Sequence, residues 1–342
     1  MKKPILLMST DWHINKNNTE TIKGLVRQQI EISKELDINT NLFLGDMVVS
    51  RQSQELIVLR TIEDILDMFE EVGVDLIAIA GNHEKTNYDS EDSFLSPFKY
   101  HPALQLVENY TLDGLNLDGY AFHFIPFFSE DVWLEKFKIV GETPSGARNY
   151  LISHIGLQGS VNNDGSKHES VIKPSMFKDF DKVFLGHFHQ MHQISKNIFH
   201  IPSIRPANFG ENNDKGVTVL YDDGSHELIK LKFQEYHTVK IDLTSTSKKE
   251  INELKKEHAG SENNIRFKFI GDESTNKSIS KEEFESVGIK VETELKELQY
   301  EEADYQVEKL DKMGIEDEFK EYCEREDKDY ETGKKYLDKK LK

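Results

Sequence analysis

The stretch Val183-Phe184-Leu185-Gly186-His187-Phe188-His189 decides how this chain reads: a short apolar run ends in glycine, and two histidines one residue apart follow. In extended backbone, residues i and i+2 point the same way, so a strand ending at Gly186 can deliver both imidazoles to one cleft. Four other stretches end similarly. Asp11-Trp12-His13 follows Ile5-Leu6-Leu7-Met8, and Gly45-Asp46 follows Leu42-Phe43-Leu44. Gly81-Asn82-His83-Glu84 follows Leu76-Ile77-Ala78-Ile79-Ala80, and Ser153-His154 follows Tyr150-Leu151-Ile152. Apolar strands therefore release Asp, Asn or His at their C-terminal ends, where open α/β sheets place their sites.

Around these strand ends the periodicity predicts a strand at 4–9, a helix over 19–36, a strand at 40–45, a helix over 53–71 and a strand at 74–80. Gly73 is the expected stop of the second helix. Near-continuous apolar strands separated by helices imply a parallel sheet buried on both faces. From Leu104 the elements shorten. Residues 105–107 and 121–126, with a turn at Asp113-Gly114, read as hairpin strands; 131–140 reads as a helix, and 149–153 as a return to the buried sheet. Residues 156–173 read as a mobile loop beside the site. Strands are expected at 198–201, 217–221 and 228–233, which makes a two-sheet sandwich flanked by helices up to about residue 235.

Composition then changes. Two strand-like pieces (238–243 and 265–269), a Lys/Glu-rich helix near 247–258 and a linker at 260–264 suggest a small α/β appendage over 236–294. From 295 to 342 the chain is mostly charged, with thin apolar stripes (Ala303, Val307, Leu310; Phe319, Tyr322, Cys323; Tyr336, Leu337, Leu341). That pattern suits a solvated helical tail, or one that folds onto a partner's helices.

With 342 residues the chain can bury a full core, and 37% hydrophobic against 31% charged residues describes a polar, soluble protein. Cys323 is the only cysteine, which rules out an internal disulfide or a thiolate metal site and suits a reducing compartment. No apolar run approaches the roughly 20 residues of a membrane span. Met1-Lys2-Lys3-Pro4 leads straight into a strand with no signal-peptide core, so a cytoplasmic location is expected. The net charge of −19 argues against tight DNA binding by this chain alone. Bound cations reverse the local sign, however, and a partner chain can supply basic contacts.

The collected side chains are Asp11, His13, Asp46, Asn82, His154, His187 and His189, an oxygen and nitrogen set without sulfur. Such a mix suits Mn²⁺, Fe or Zn, with Mn²⁺ fitting best where carboxylate, amide oxygen and imidazole share a site. Too many for one ion, they divide into two sets bridged by Asp46, which follows the middle of the three early strands. Two ions about 3.5–4 Å apart clamp a phosphoryl oxygen and activate water for in-line displacement. His83, beside a ligand, is placed to give a hydrogen bond or proton to the leaving oxygen or the phosphoryl group. His101, His123, His200, His226, His237 and His258 read as structural.

These motifs, carried on residues 5–221, resemble those of the calcineurin-like metallophosphoesterases: Asp11-x-His13, Gly45-Asp46, Gly81-Asn82-His83-Glu84, His154 and Gly186-His187-x-His189. Asp11-Trp12-His13, Ile125-Pro126 and the stretch from Ile201 through Phe209-Gly210-Glu211 to Lys215-Gly216 look like the SbcD branch, the nuclease subunits of double-strand-break-repair complexes. Length and the tail around Phe319 are most similar to phage recombination endonuclease subunits. The resemblance implies an α/β (α+β sandwich) fold in four layers, with a small α/β capping domain at 236–294 and a C-terminal helical tail. Asp11, His13, Asp46 and His189 would hold one Mn²⁺, and Asp46, Asn82, His154 and His187 the other, with Mg²⁺ or another divalent ion possible. His83 would be the catalytic histidine. DNA would be the substrate, the tail would bind an SbcC-type SMC-like ATPase, and a homodimer would sit within a heterotetramer.

Two positions depart from the family pattern. Many members carry His or Asp three residues after the bridging aspartate, where this chain has Val49, so a second catalytic histidine is missing. The loop before Pro206 carries Ile204-Arg205 in place of Ser-Pro. Arg51, near a helix start, reads as exposed and solvated, with a phosphate contact as the alternative. Competing readings are a phosphoprotein phosphatase, weakened because Asp-Arg-Gly does not follow Asp46, a small-molecule phosphodiesterase, and a non-catalytic scaffold.

Overall fold

The structure, a computed structural model, describes residues 2–112, 117, 119–140, 147–162, 165–296 and, near the C-terminus, 319, 320, 323, 330 and 334. Strand and helix alternate first: β1 (Pro4–Ser9), α1 (Thr19–Glu35), β2 (Thr40–Phe43), α2 (Leu56–Val72), β3 (Asp75–Ile79) and β4 (Leu104–Val107). These four strands pair in parallel. α1 forms because Ile22, Leu25, Val26, Gln29, Ile30 and Ser33 fall on one face, which is buried. α2 stops at Gly73, whose φ of +68° costs a residue without Cβ little.

The chain then builds a second sheet from β5 (Thr111–Leu112), β6 (Tyr120–Ile125), β7 (Arg148–His154), β8 (Lys182–Gly186), β9 (His192–Ser195) and β10 (Ile198–His200), with α3 (Glu130–Lys138) between β6 and β7. Its order is β5-β6-β7-β8-β10-β9. β11 (Gly216–Tyr221) and β12 (His226–Lys230) return to the first sheet, giving β12-β11-β1-β2-β3-β4, with β11 antiparallel to β1.

Strand alternation sorts the core into layers. Leu7, Phe43, Leu76 and Ala78 pack with residues of α1 and α2. Their neighbours Leu6, Met8, Leu42, Leu44, Ile77 and Ile79 face the other way, against Phe122, Phe124, Tyr150, Ile152 and Phe184 of the second sheet. Leu151, Val183 and Leu185 turn outward to Phe128, Trp133 and Phe177. The result is a mixed α/β fold in four layers, helices–sheet–sheet–helix, and it explains the unbroken apolar runs: both faces of these strands are buried.

Several local expectations shift. β4 is no hairpin strand; it extends the first sheet in parallel with β3. Residues 149–153 lie in the second sheet, between β6 and β8, not in the first. The strand expected at 228–233 is β12, two residues earlier, because its register is set against β11. The turn at Asp113-Gly114 lies outside the described residues.

After residue 235 come β13 (Tyr236–Asp242), α4 (Lys248–His258), β14 (Asn264–Gly271), α5 (Glu273–Lys277), α6 (Lys281–Glu285) and β15 (Ile289–Leu295). The strands form a sheet in the order β13-β14-β15 over its own core, including Ile241, Ile265, Phe267, Phe269 and Phe284. Ser247 and Glu250 close a capping box at the start of α4. β15 escapes the sequence reading because Glu292 and Glu294 mask its short apolar face. Met1–Glu294 forms one compact unit and Leu295–Lys342 another. In the latter, Phe319, Lys320, Cys323, Tyr330 and Lys334 are helical and Cys323 is buried. The other stripe residues there lie outside the described ones. Among the described residues no helix is long and apolar enough to cross a membrane.

Candidate metal centre

The loops after β1, β2 and β3 come from the first sheet, and those after β7 and β8 from the second. Asp11 N–H bonds the Gly45 carbonyl (2.9 Å) and His13 N–H that of Asp46 (3.1 Å), while from the second sheet His187 N–H reaches Asp11 Oδ2 (3.3 Å). Two glycines of the motifs are there for space. A Cβ on Gly81 would lie 2.2 Å from Asp46 Oδ1, and one on Gly186 would lie 2.5 Å from the Leu44 carbonyl.

Asp11, His13, Asp46 and His187 all have positive φ, between 49° and 88°, a conformation that non-glycine residues avoid. Such strain costs about 1–3 kcal/mol per residue and persists only where the surroundings impose it, typically at functional sites. It also corrects the extended-strand argument for the His-x-His pair. The chain turns at His187, so the two imidazoles join different groups.

Those groups overlap. In each of the sets Asp11–His13–His189, His13–Asp46–His83 and Asp46–His154–His187, candidate ligand atoms lie within 4.8 Å of one another. Asp46 belongs to two of the sets, as a bridging carboxylate must. Asn82 Oδ1 completes the last group, 2.9 Å from His187 Nδ1 and 3.3 Å from His154 Nε2. All seven predicted ligand side chains thus converge, and His83 converges with them.

Three observations test whether divalent cations fit. The buried Oδ1 of Asp11 has no hydrogen-bond partner, and it lies 3.6 Å from His13 Nε2 and 3.8 Å from His189 Nε2. His13 Nε2 and His189 Nε2 face each other at 3.0 Å, two nitrogens aimed at one space. His154 Nδ1 donates to the Leu44 carbonyl (2.6 Å), and His189 Nδ1 meets Glu211 Oε1 (3.0 Å). Each pairing leaves Nε2 with its lone pair toward the site, the arrangement of metal-bound histidines. The donor set therefore fits.

The local field points the same way. Burial opposes charge on Asp11, yet the neighbouring imidazoles of His13, His154 and His189 hold its carboxyl down at about 2. Burial likewise opposes protonation of His154, but the adjacent Asp46 carboxylate lifts the imidazole to about 9, so the Nε2 proton is one that a cation would have to displace before that lone pair could bind it. The pocket favours positive charge. His187, half-buried, is pushed by burial and then by the neighbouring His154 to about 3.

Sequence reasoning missed the supports. Glu84 accepts the N–H groups of Asp46 (2.9 Å), Val48 (2.9 Å) and Gly81 (2.7 Å), tying two ligand loops together. Burial, then the Asp46 charge, raise its carboxyl to about 7. Thr10 Oγ1 donates to Asp11 Oδ2 (2.8 Å), and Lys215 Nζ lies 2.8 Å from Glu211 Oε2. Glu84 and Glu211 stood in the quoted motifs, so the signal was present without a role attached. We expect Glu211→Gln, which keeps the shape and removes the charge behind His189, to weaken divalent-cation affinity roughly tenfold to a hundredfold. Calorimetric titration with Mn²⁺ measures it, and an affinity equal to that of the parent chain would make the contact merely structural.

Arg51 is exposed, as its reading as a solvated side chain expects, and it also makes two contacts. Its guanidinium lies 3.0 Å from His83 Nε2 and donates to Tyr88 Oη at 3.0 Å. Since a guanidinium cannot accept, His83 Nε2 is the acceptor, and Nδ1–H donates to the Val49 carbonyl at 2.5 Å. These contacts set His83 apart from the ligands, although its Nε2 is only 3.8 Å from Asp46 Oδ2. A cleft of about 670 Å³ opens over the group, lined by His13, Asp46, Asn82, His83, His187 and His189 among others. His168, from the 156–173 loop, lines a second pocket of about 260 Å³ beside it, together with Arg51, Tyr88 and Phe127.

Strand-end carboxylates and imidazoles gathered in overlapping cation-binding sets, under an open cleft, define a metal-dependent phosphoester hydrolase. A family model of the calcineurin-like phosphoesterases matches residues 5–191, and the chain belongs to that family. It is 23% identical over 225 residues to "Putative phosphoesterase 244L" of Invertebrate iridescent virus 6, an alignment covering 63% of this chain and 75% of that protein. Among solved structures it is similar to a dimetal phosphatase from Danio rerio (12% identity, 64% of this chain and 93% of that one, TM-score 0.39). It is also similar to the nuclease MPE of Pseudomonas putida (15% identity, 59% and 80%, TM-score 0.30).

Proposed function

We propose that this chain is the Mn²⁺-dependent nuclease subunit of an SbcCD-type recombination and repair complex, hydrolysing DNA phosphodiesters with exonuclease and endonuclease activity. The observation that carries the hydrolytic part is the sharing of Asp46 between two candidate ligand groups. Its narrowing to DNA rests on the SbcD-like residues around Trp12 and at 201–216, and on a cleft open to a chain-like substrate. Two divalent cations, when bound, supply charge for the phosphoryl oxygens and a water of lowered pKa. Asp11, His13, Asp46 and His189 would hold one, and Asp46, Asn82, His154 and His187 the other.

The remaining residues orient and exchange protons. His83, held through Val49 and Arg51, can serve the leaving oxygen once Nε2 gives up the Arg51 N–H and takes a proton. Arg51 holds that imidazole where the family's second histidine is absent and adds a cation at the lip. In the same proposal residues 236–294 cap the DNA, residues 295–342 bind an SMC-like ATPase, a homodimer sits within the heterotetramer, and the complex works in the cytoplasm of a bacterial or phage-infected cell.

Assays of the full chain with Mn²⁺ on linear duplex DNA, bis-p-nitrophenyl phosphate and a phosphopeptide test this reading. Cleavage of DNA and of the diester is expected. Activity on the phosphopeptide with none on DNA would instead establish a phosphoprotein phosphatase, and activity on the diester alone a small-molecule phosphodiesterase. Retained co-purification of an SMC-like ATPase after removal of residues 295–342 would place the partner surface elsewhere.

A further inference from the structure

Arg205 sits where the chain departs from its family's loop, between the ligand histidines and the small α/β part. It lines the cleft over the metal centre, and it also lines an adjoining pocket of about 310 Å³. Asn15 and Ala207 are likewise shared by both, so the two adjoin along one groove wall. Beyond Arg205 the groove is walled by Asn17, Asn18, Gln234 and Tyr236, and no carboxylate lines that pocket. In a chain with 62 acidic residues, such a path has been kept clear of negative charge.

The guanidinium itself is under-used. Nη1 donates to the Pro206 carbonyl (3.0 Å), while the buried Nε has no hydrogen-bond partner. No carboxylate lies within ion-pair distance among the described residues. Nε is buried, so the Nη groups are the donors that can face the pockets Arg205 lines, and a half-buried guanidinium beside a phosphoryl site suits a phosphate. The loop carrying it is anchored: Ser203 N–H donates to the His189 carbonyl (3.1 Å), and Ser203 Oγ donates to that of Arg205 (2.9 Å). Arg205 thus has a set position relative to the metal centre.

We propose that Arg205 binds a non-scissile phosphate of a nucleic-acid strand lying along this groove, next to the phosphate that is cut. It thereby selects polynucleotides over isolated diesters. This rests on the nuclease reading above. It also accounts for how so acidic a chain can hold a polyanion: the contact is local and surrounded by uncharged amides, whatever the sign of the overall charge.

The test compares the full chain with its R205M and R205K variants in Mn²⁺, on a short single-stranded oligonucleotide and on bis-p-nitrophenyl phosphate. For R205M, kcat/KM on the oligonucleotide relative to that on the diester is expected to fall roughly tenfold to a hundredfold, mostly through KM. The slope of log KM for the oligonucleotide against log salt should shrink by about one phosphate contact. R205K, which keeps the charge and loses the fork, should restore the salt slope and only part of the ratio. An unchanged ratio overturns the proposal, as does an equal loss on both substrates, which would mark a structural role. If the parent chain cuts the diester and not the oligonucleotide, the nuclease reading fails first and takes this assignment with it.

Discussion

Asp46→Asn is expected to reduce phosphodiesterase activity by about 10³-fold or more, the scale on which losing one key charge-stabilising group acts. The substitution is nearly isosteric, so the Oδ1 that accepts the His83 N–H at 2.9 Å can persist. What disappears is the second carboxylate oxygen and its charge. Oδ2 lies 3.3 Å from His154 Nε2, 3.8 Å from His83 Nε2 and 3.9 Å from His13 Nε2, so it faces both candidate cation groups. An amide offers one oxygen and no charge, and it cannot bridge. Metal stoichiometry should therefore fall below that of the parent chain, while far-ultraviolet circular dichroism stays the same. Full metal content with near-parent activity would show that another group bridges, and the division into two sets would have to be redrawn.

His83→Ala should lower turnover by about 10²–10⁴-fold, the usual contribution of a positioned general acid or base. Here the metal content is expected to stay intact. His83 lies within reach of Asp46 and His13, but its Nε2 accepts from the Arg51 guanidinium, so that lone pair is already engaged. Elemental analysis of the purified variant separates the two roles. If metal is lost along with activity, His83 is a ligand and the proton-transfer assignment goes elsewhere. Activity near that of the parent chain would shift the proton to Arg51-held water or to no side chain at all.

How much of this was legible beforehand differs by element. The strand-end pattern identified all seven ligand candidates, because a buried strand must be apolar up to its last residue and a site can begin only beyond it. α1 and α2 were readable from their buried stripes, and Gly73 from its stop position. Arg51 is exposed as expected, but its contact with His83 was not foreseen, because an arginine after a loop looks the same whether water or an imidazole faces it. Glu84 and Glu211 carried no role because a buried carboxylate acting on backbone N–H groups leaves no periodic trace.

By itself, then, the amino-acid sequence determined which strands are buried on both faces, where each one ends and which side chains are released there. These are local consequences of apolar content and of the residues that terminate it. Only the tertiary structure decided that the five ligand-bearing strands divide between two sheets, that β4 joins the first in parallel, and that His187 and His189 part company at a left-handed turn. It alone brought Arg51, Glu84, Arg205 and Glu211 to the site. The physical reason is that strand partners and ion-pair partners are chosen by packing and electrostatics between residues far apart in the chain, and no window along it contains both members of such a pair.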